Sequence, residues 1–173
     1  IAVAAEGQIA AGRFVLRPAR RSDEGLISHY AGDKRVAEAT RSIPHPLPPG
    51  AAEAFVKRAI AGRAEEDIWI MDGSSTGLPE LIGVISLKRM DRAQSEIGLW
   101  VGPAFWNTGF ASAAVQALLA ANPHNDRTIF AEVFQDNPSS AKVLTHAGFQ
   151  YLGDAETFSV ARNARVQTWT YIK

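Results

Sequence analysis

Between residues 67 and 148 the spacing of apolar side chains switches from strand-like to helical, back to strand-like and again to helical. No other feature restricts the fold of this chain as much. DIWIM (67–71) and LIGVISL (81–87) flank the turn-rich GSSTGLP, the pattern of an antiparallel hairpin with a long loop. QSEIGLWV (94–101) adds a third strand after the charged turn KRMDRA. GFASAAVQALLAA (109–121) has a helical period and stops at Asn122-Pro123, and RTIFAEVF (127–134) is strand-like again. NPSSAKVLTHAGF then predicts a short helix ended by Gly148 as a C′ glycine. Strands interleaved with single helices require a sheet with helices packed on it.

The flanks extend the pattern. RFVLRP (13–18) alternates apolar and polar residues, which predicts a first strand with one buried face. Ser22 heads SDEG as an N-cap, followed by Leu26, Ile27 and Tyr30 at helical spacing. IPHPLPPG (43–50) holds four prolines in eight residues, so it must be an extended loop. AAEAFVKRAIAGRA (51–64) places Ala52, Phe55, Val56, Ala59 and Ile60 on one face of a helix. Strand-like runs around Phe158 and over 166–172, joined by ARNAR, close the chain. The predicted order is β α α β β β α β α β β, a mixed α/β sandwich around one sheet. Neither an internal repeat nor a linker divides it, so residues 1–173 read as a single domain with 1–12 as a loose N-terminal segment. That opening lacks a basic n-region and is broken by Glu6 and Gln8, unlike a signal peptide. It also lacks a starting Met, which is compatible with numbering that begins inside a longer precursor.

Charge and cysteine usage exclude whole classes of function. Lys plus Arg equals Asp plus Glu at 18 each, and the balance holds within each half, with 11 of each sign in residues 1–88 and 7 of each in 89–173. Such a chain has no electrostatic footprint for nucleic acid or an anionic membrane. No run approaches the roughly 18 apolar residues of a membrane helix. Without cysteine there are no disulfides, thiolate metal sites or Cys nucleophiles. The four histidines show no metal-ligand spacing, so no metal is expected. His29, His124 and His146 read as helix or turn residues.

The chemistry is concentrated in residues 96–115, EIGLWVGPAFWNTGFASAAV. A strand runs into a Gly102-Pro103 loop, and an Asn-Thr-Gly turn opens a helix of small residues. A helix start preceded by Gly109 offers unpaired N–H groups and the positive end of a macrodipole, which suits a phosphate. Ala111, Ser112, Ala113 and Ala114 leave the backbone open to close approach. The same pattern also suits a packed strand-turn-helix that binds nothing. The segment has no GxGxxG and the chain no GxxxxGK[ST], so Rossmann and P-loop sites are excluded.

The run GLWVGPAFWNTGFASAA resembles the acetyl-coenzyme A loop of the GNAT superfamily of N-acetyltransferases: Gln or Arg, two residues, Gly, one residue, Gly or Ala. The pattern maps onto Trp106, Asn107, Thr108, Gly109, Phe110 and Ala111. Tryptophan at the first position departs from Gln/Arg but is familiar in the RimJ/RimL-like branch, often as a Trp-Gly pair that is Trp106-Asn107 here. That branch commonly has Glu where this chain has Ala113. DNPSSAKVLTHAGFQYLG is similar to the family's later motif, with Asn137, Ser140 and Gly148-Phe149 in its places. The resemblance runs from residue 13 to 173.

It implies a mixed, mostly antiparallel sheet, with helices on both faces, that splays where the strand ending at Val101 parts from the strand over 127–134. Acetyl-CoA is the implied co-substrate, its pantetheine arm oriented by backbone groups of Leu99, Trp100 and Val101 and its pyrophosphate by residues 106–112, Ser112 included. The acetyl group passes directly to a primary amine, a protein N-terminus or a small amine, and the thiol comes with the cofactor. Glu96 is the candidate base, directly or through water, with Glu132 on the next strand as runner-up. By strand alternation Glu96, Gly98 and Trp100 share one face and Ile97, Leu99 and Val101 the other. A carboxylate beside that indole on a covered face is placed for a raised pKa; the alternative is a solvated or salt-bridged glutamate. Ser140 is the candidate acid for the departing thiolate, or a hydroxyl capping its own helix. The family's usual tyrosine position holds Leu144. Asn137 binds the pantetheine amide, serves as N-cap, or both. His45 is placed to face the acceptor, and Pro44, Pro46, Pro48 and Pro49 either stiffen a pocket wall or form a plain connector. A cytoplasmic enzyme is expected, and a homodimer is compatible with it. A longer acyl-CoA, or a non-catalytic acyl-CoA-binding or regulatory module, are the alternatives.

Overall fold

A computed structural model describes residues 2–4, 7–62 and 65–173. Ile1, Ala5 and Glu6 of the opening segment, and Arg63 and Ala64 of the helix expected over 51–64, lie outside the described residues. In chain order the elements are β1 (Ile9–Ala10), β2 (Val15–Pro18), α1 (Glu24–Ala31), α2 (Lys34–Glu38), α3 (Ala51–Ala61), β3 (Glu66–Asp72), β4 (Gly83–Met90), β5 (Gln94–Val101), α4 (Phe110–Ala121), β6 (Thr128–Phe134), α5 (Pro138–His146), β7 (Gln150–Ser159) and β8 (Ala164–Ile172). The eight strands form one sheet in the order β1-β2-β3-β4-β5-β6-β8-β7.

All neighbours are antiparallel except β5 and β6, because α4 carries the chain across the sheet and returns it in the same direction. Their parallel pairing stops at Glu96↔Phe130, although β5 continues to Val101 and β6 to Phe134. The strands therefore diverge, and the splay expected from the resemblance is present. Helices cover both faces. Ile85, Ile97, Val115 and Leu118 belong to the core under α4 and α5, whereas Ile70 and Val84 pack with Ile27 and Val56 of α1 and α3. Alternation along β4 and β5 divides the two cores, and it puts Trp100 with the α1/α3 side.

Several elements differ from what the sequence predicts. The expected loose segment contributes β1, which pairs with β2, and Ala2 donates from its N–H to the Gly12 carbonyl at 2.7 Å. The short helix α2 was not expected, and β7 starts at Gln150, well before Phe158. Ile60 is 48% exposed, so α3 buries Ala52 and Val56 but not the whole predicted stripe. The first strand is covered on both faces: Phe14, Val15, Leu16 and Arg17 are all buried. Ser22 is not an N-cap, because a 3-10 turn over Arg21–Asp23 precedes α1. Asp23 accepts from the Arg20 N–H at 2.8 Å and turns inward to Arg17.

Arg17 is the polar residue on which this corner depends. Its Nε donates to Asp72 at 2.6 Å, Nη1 to Asp23 (2.9 Å) and the Pro18 carbonyl (3.0 Å), and Nη2 to Asp23 (2.6 Å) and the Glu80 carbonyl (3.0 Å). All five guanidinium N–H donors are thus satisfied. Burial alone would raise the Asp72 pKa, but hydrogen bonds from Ser74 and the Arg17 pair outweigh it and hold Asp72 below its ordinary value. A carboxylate depressed in the folded state contributes stability above its unfolded pKa of about 4, and that contribution disappears as pH falls through the folded value. The expected result is a melting temperature that drops on acidification below about pH 4, with a flatter acid dependence in Asp72→Asn, measured by thermal denaturation at stepped pH.

His124 supplies a second buried polar contact. Its Nε2 lies 2.6 Å from Asp67 and its Nδ1 3.1 Å from Ser95 Oγ. The order Ser-His-Asp resembles a hydrolase triad, but Ser95 has no solvent exposure. No substrate can reach that hydroxyl, so the contact pins the loop after α4 to β3 and β5.

Candidate active site

Two cavities meet along β5, because Ile97, Gly98, Leu99 and Trp100 line both. The first, of about 290 Å³, is the cleft opened by the splay, between the start of α4 and the start of α5. The second, of about 520 Å³, lies on the α1/α3 side under residues 40–47.

The cleft is built around a helix start. Gly109 adopts φ 86°, a left-handed conformation that costs other residues energy, and it precedes α4 directly. The first intrahelical bond runs from the Ala113 N–H to the Gly109 carbonyl at 3.0 Å. The N–H groups of Phe110, Ala111 and Ser112 consequently have no helical acceptor, and all three residues line the cleft. Arg13 donates to the Thr108 carbonyl at 2.8 Å and stacks 4.1 Å from the centre of the Phe110 ring, which fixes the turn from outside. The sequence reading missed Arg13; the contact spans 95 residues, and nothing local signals it.

The expected cofactor residues divide by role. Leu99, Trp100, Val101, Trp106, Asn107, Gly109, Phe110, Ala111, Ser112 and Asn137 border the cleft. Thr108 does not; its hydroxyl donates to the Phe105 carbonyl and its own carbonyl is taken by Arg13. Phe110 is 3% exposed and its ring packs on Phe14 and Phe105, so only its backbone faces the cleft. The Val101 carbonyl accepts from the Trp106 indole at 2.7 Å and is engaged within the protein.

At α5 the capping alternatives are not what the structure uses. Asn137 stands at the N-cap position without a side-chain cap bond, and among the described residues neither its amide nor the Ser140 hydroxyl has a hydrogen-bond partner. Both side chains line the cleft. Leu144, at the family's tyrosine position, is 2% exposed and belongs to the core.

Glu96 and Glu132 stand on the two strands that part, and Arg41 spans them. One guanidinium nitrogen donates to Glu132 at 3.0 Å and the other to Glu96. Thr168 donates to the second Glu132 oxygen at 2.9 Å. The cation bridges β5 and β6 where their backbone pairing stops, from Glu96 of the last pair to Glu132 beyond it. Burial works to lower the Arg41 pKa, but the charges of Glu96 and then Glu132 outweigh it and raise it above its ordinary value. Glu96 is therefore the salt-bridged glutamate of the two readings, with a cation beside it that strand alternation could not reveal. Pro44 and Leu47 line the second cavity, so the proline-rich segment does form a wall, but His45 does not face it.

Residues 13–150 match the family model described as an acetyltransferase (GNAT) domain. The chain belongs to the GNAT acetyltransferase family. No curated protein gives a significant match to its sequence. Among solved structures, this GNAT chain is similar to the microcin C7 self-immunity acetyltransferase MccE in complex with acetyl-CoA and AMP, at 14% identity and TM-score 0.83 over 98% of this chain and 97% of that one. It is also similar to RimL, a ribosomal L7/L12 alpha-N-protein acetyltransferase in complex with coenzyme A, at 18% identity and TM-score 0.80 over 96% and 97%. Spermidine N-acetyltransferase from Vibrio cholerae, in complex with CoA and spermine, aligns at 18% identity and TM-score 0.75 over 92% and 95%. At these identities the likeness establishes the fold. For this GNAT domain the splay, the free N–H groups at α4 and the two unpartnered side chains at α5 all open on one cleft.

Proposed function

We propose that this chain is an acetyl-CoA-dependent N-acetyltransferase of the RimJ/RimL-like type, with acetyl-CoA in the cleft between β5 and β6 and a primary amine in the cavity across β5. The observation that carries the reading is the continuity of the two cavities along Ile97–Trp100, which gives donor and acceptor a shared wall. The cleft suits the co-substrate. Its helix start presents N–H groups to a pyrophosphate, Gly109 and Ala111 leave the approach open, and Asn137 and Ser140 have free side chains for the pantetheine arm. Acetyl-CoA supplies the thioester carbonyl and a thiol leaving group.

The protein's tasks are then to orient, to accept one proton and to return one. Glu96, which lines the acceptor cavity, takes the proton of the incoming ammonium, directly or through water, with Glu132 joined to it by Arg41 as second acceptor. Ser140 donates a hydrogen bond to the departing sulfur. Ser140→Ala is expected to lower kcat about 10²-fold while KM for acetyl-CoA stays within a factor of about three, read from steady-state thiol release.

Arg41 enters through the base. Removing it leaves two carboxylates facing across the splay without the cation that holds them together. Arg41→Gln is expected to lower kcat while KM for acetyl-CoA stays within a factor of about three, read from steady-state thiol release.

Calorimetric titration with acetyl-CoA, followed by an amine panel monitored for free thiol, tests the whole reading. Failure to bind CoA at near-millimolar concentration overturns it. Binding without acetylation of any amine favours a non-catalytic acyl-CoA module.

A further inference from the structure

Part of the cleft's lining comes from α2, a helix of five residues that packs on α1. So short a helix keeps its place through tertiary contacts, not through its own propensity. Val36 of α2 and Ala39 just after it line the cleft together with Phe134 at the end of β6 and Asn137 and Ser140 at the start of α5.

Arg162, in the turn between β7 and β8, joins these two parts without lining either cavity. Its Nε and Nη2 donate to the Glu38 carbonyl, at the end of α2, at 3.0 and 2.8 Å. Nη2 also donates to one oxygen of Asp136 at 3.2 Å and Nη1 to the other. Asp136 directly precedes Asn137. The guanidinium carbon stands 4.9 Å from the centre of the Phe134 ring. One planar fork therefore ties the end of α2 to the corner between β6 and α5, which a point charge could not do with the same geometry. The hydrogen bonds from Arg162 hold the Asp136 carboxyl below its ordinary value, against a smaller effect of burial. The turn makes a second attachment nearby, because the Val160 N–H donates to the Arg41 carbonyl at 3.0 Å.

Building on the acetyl-CoA reading of this cleft, we infer that Arg162 is a positioning residue for the co-substrate: it sets the separation of α2 from the β6–α5 corner, and with it the fit of the cleft and the aim of Asn137. Without the guanidinium, α2 and Asp136 are released from each other. Binding energy must then restore an arrangement that Arg162 maintains in the free protein, so affinity falls. Turnover should be affected less. The Val160–Arg41 bond is made by backbone groups and survives a change of the Arg162 side chain, so Arg41 keeps its place beside Glu96 and Glu132.

The test measures the acetyl-CoA dissociation constant by calorimetry, and kcat by thiol release with any accepted amine, for the intact chain and for Arg162→Met, Asp136→Asn and Arg165→Met. Arg165 lies on the same hairpin, where it pairs with the exposed Glu156 away from both cavities. Arg162→Met is expected to raise the dissociation constant about tenfold with kcat within a factor of about three. Asp136→Asn, which keeps the Glu38 contact, should raise it about threefold, and Arg165→Met should leave it unchanged. A dissociation constant within about twofold of the unaltered chain's in Arg162→Met overturns the inference. Equal weakening in Arg165→Met does so too, since stability of the whole hairpin is then the cause. Where Arg162→Met does not fold, an unchanged constant in Asp136→Asn overturns it. All three outcomes leave the acetyltransferase reading standing, whereas absence of acetyl-CoA binding by the unaltered chain overturns both.

Discussion

Glu96→Gln is expected to reduce kcat by about 10²-fold or more while leaving the dissociation constant for acetyl-CoA unchanged. Glutamine keeps the length of the side chain and an oxygen that can accept from Arg41, so the bridge to Glu132 survives in altered form. What the amide loses is the ability to take a proton at neutral pH. Because Glu96 lines the acceptor cavity and not the cleft under α4, the effect belongs to acceptor chemistry. The pH dependence carries a separate signature. Without its base the variant can use only amine that is already unprotonated, so its rate should climb with pH in step with the free-amine fraction. Glu132→Gln provides the comparison: a larger loss there assigns the proton to the runner-up. Steady-state kinetics from pH 6 to 9 with any accepted amine is the measurement, and an unchanged rate in Glu96→Gln removes this residue from the mechanism.

Arg17→Met should be the most destabilising single substitution in the buried polar network, at about 3–5 kcal/mol, because it removes one partner of a buried ion-pair cluster and leaves the others. Asp23 has no solvent exposure and Asp72 only 5%. Without the guanidinium both carboxylates stay inside with too few donors, and the carbonyls of Pro18 and Glu80 lose theirs as well. At about 2–4 °C per kcal/mol for a domain of this size, the melting temperature should fall by roughly 10 °C. Arg17→Lys should recover only part of it, since an ammonium has three donors and no planar fork. Thermal denaturation followed by circular dichroism reads both, and a change below about 1 kcal/mol refutes the role given to the cluster. The corner also bears on the proposed site: Arg17 ties the end of β2 to the 3-10 turn that enters α1, and α1 contributes Ile27 and Ala31 to the cavity proposed for the acceptor.

These two residues mark the division between local and distant information. Strands β3 to β6 and helices α4 and α5 were legible because each is long enough for its apolar spacing to repeat, and because Gly109 and Gly148 punctuate the helices. Two residues of β1 and five of α2 carry no such repeat. Arg17 read as the solvated position of an alternating strand, since alternation reports which face a residue takes and not whether that face is covered. Ser22 read as a cap because serine has that local use; a buried arginine draws its neighbour Asp23 inward instead.

At the site the same division holds. By itself the sequence determined the glycine-led start of α4, the small residues behind it, Glu96 and Trp100 on one face of β5, and Asn137 and Ser140 at the start of α5. All of these follow from interactions between residues close along the chain. Only the tertiary structure decided that β5 and β6 part after Glu96↔Phe130, that Asn137 and Ser140 leave their helix uncapped and face the opening, and that Arg41 joins Glu96 to Glu132 across separations of 55 and 91 residues. The periodicity of a strand is the same whether its neighbour is paired or splayed, and the charge a carboxylate feels is set by whatever packing brings near it.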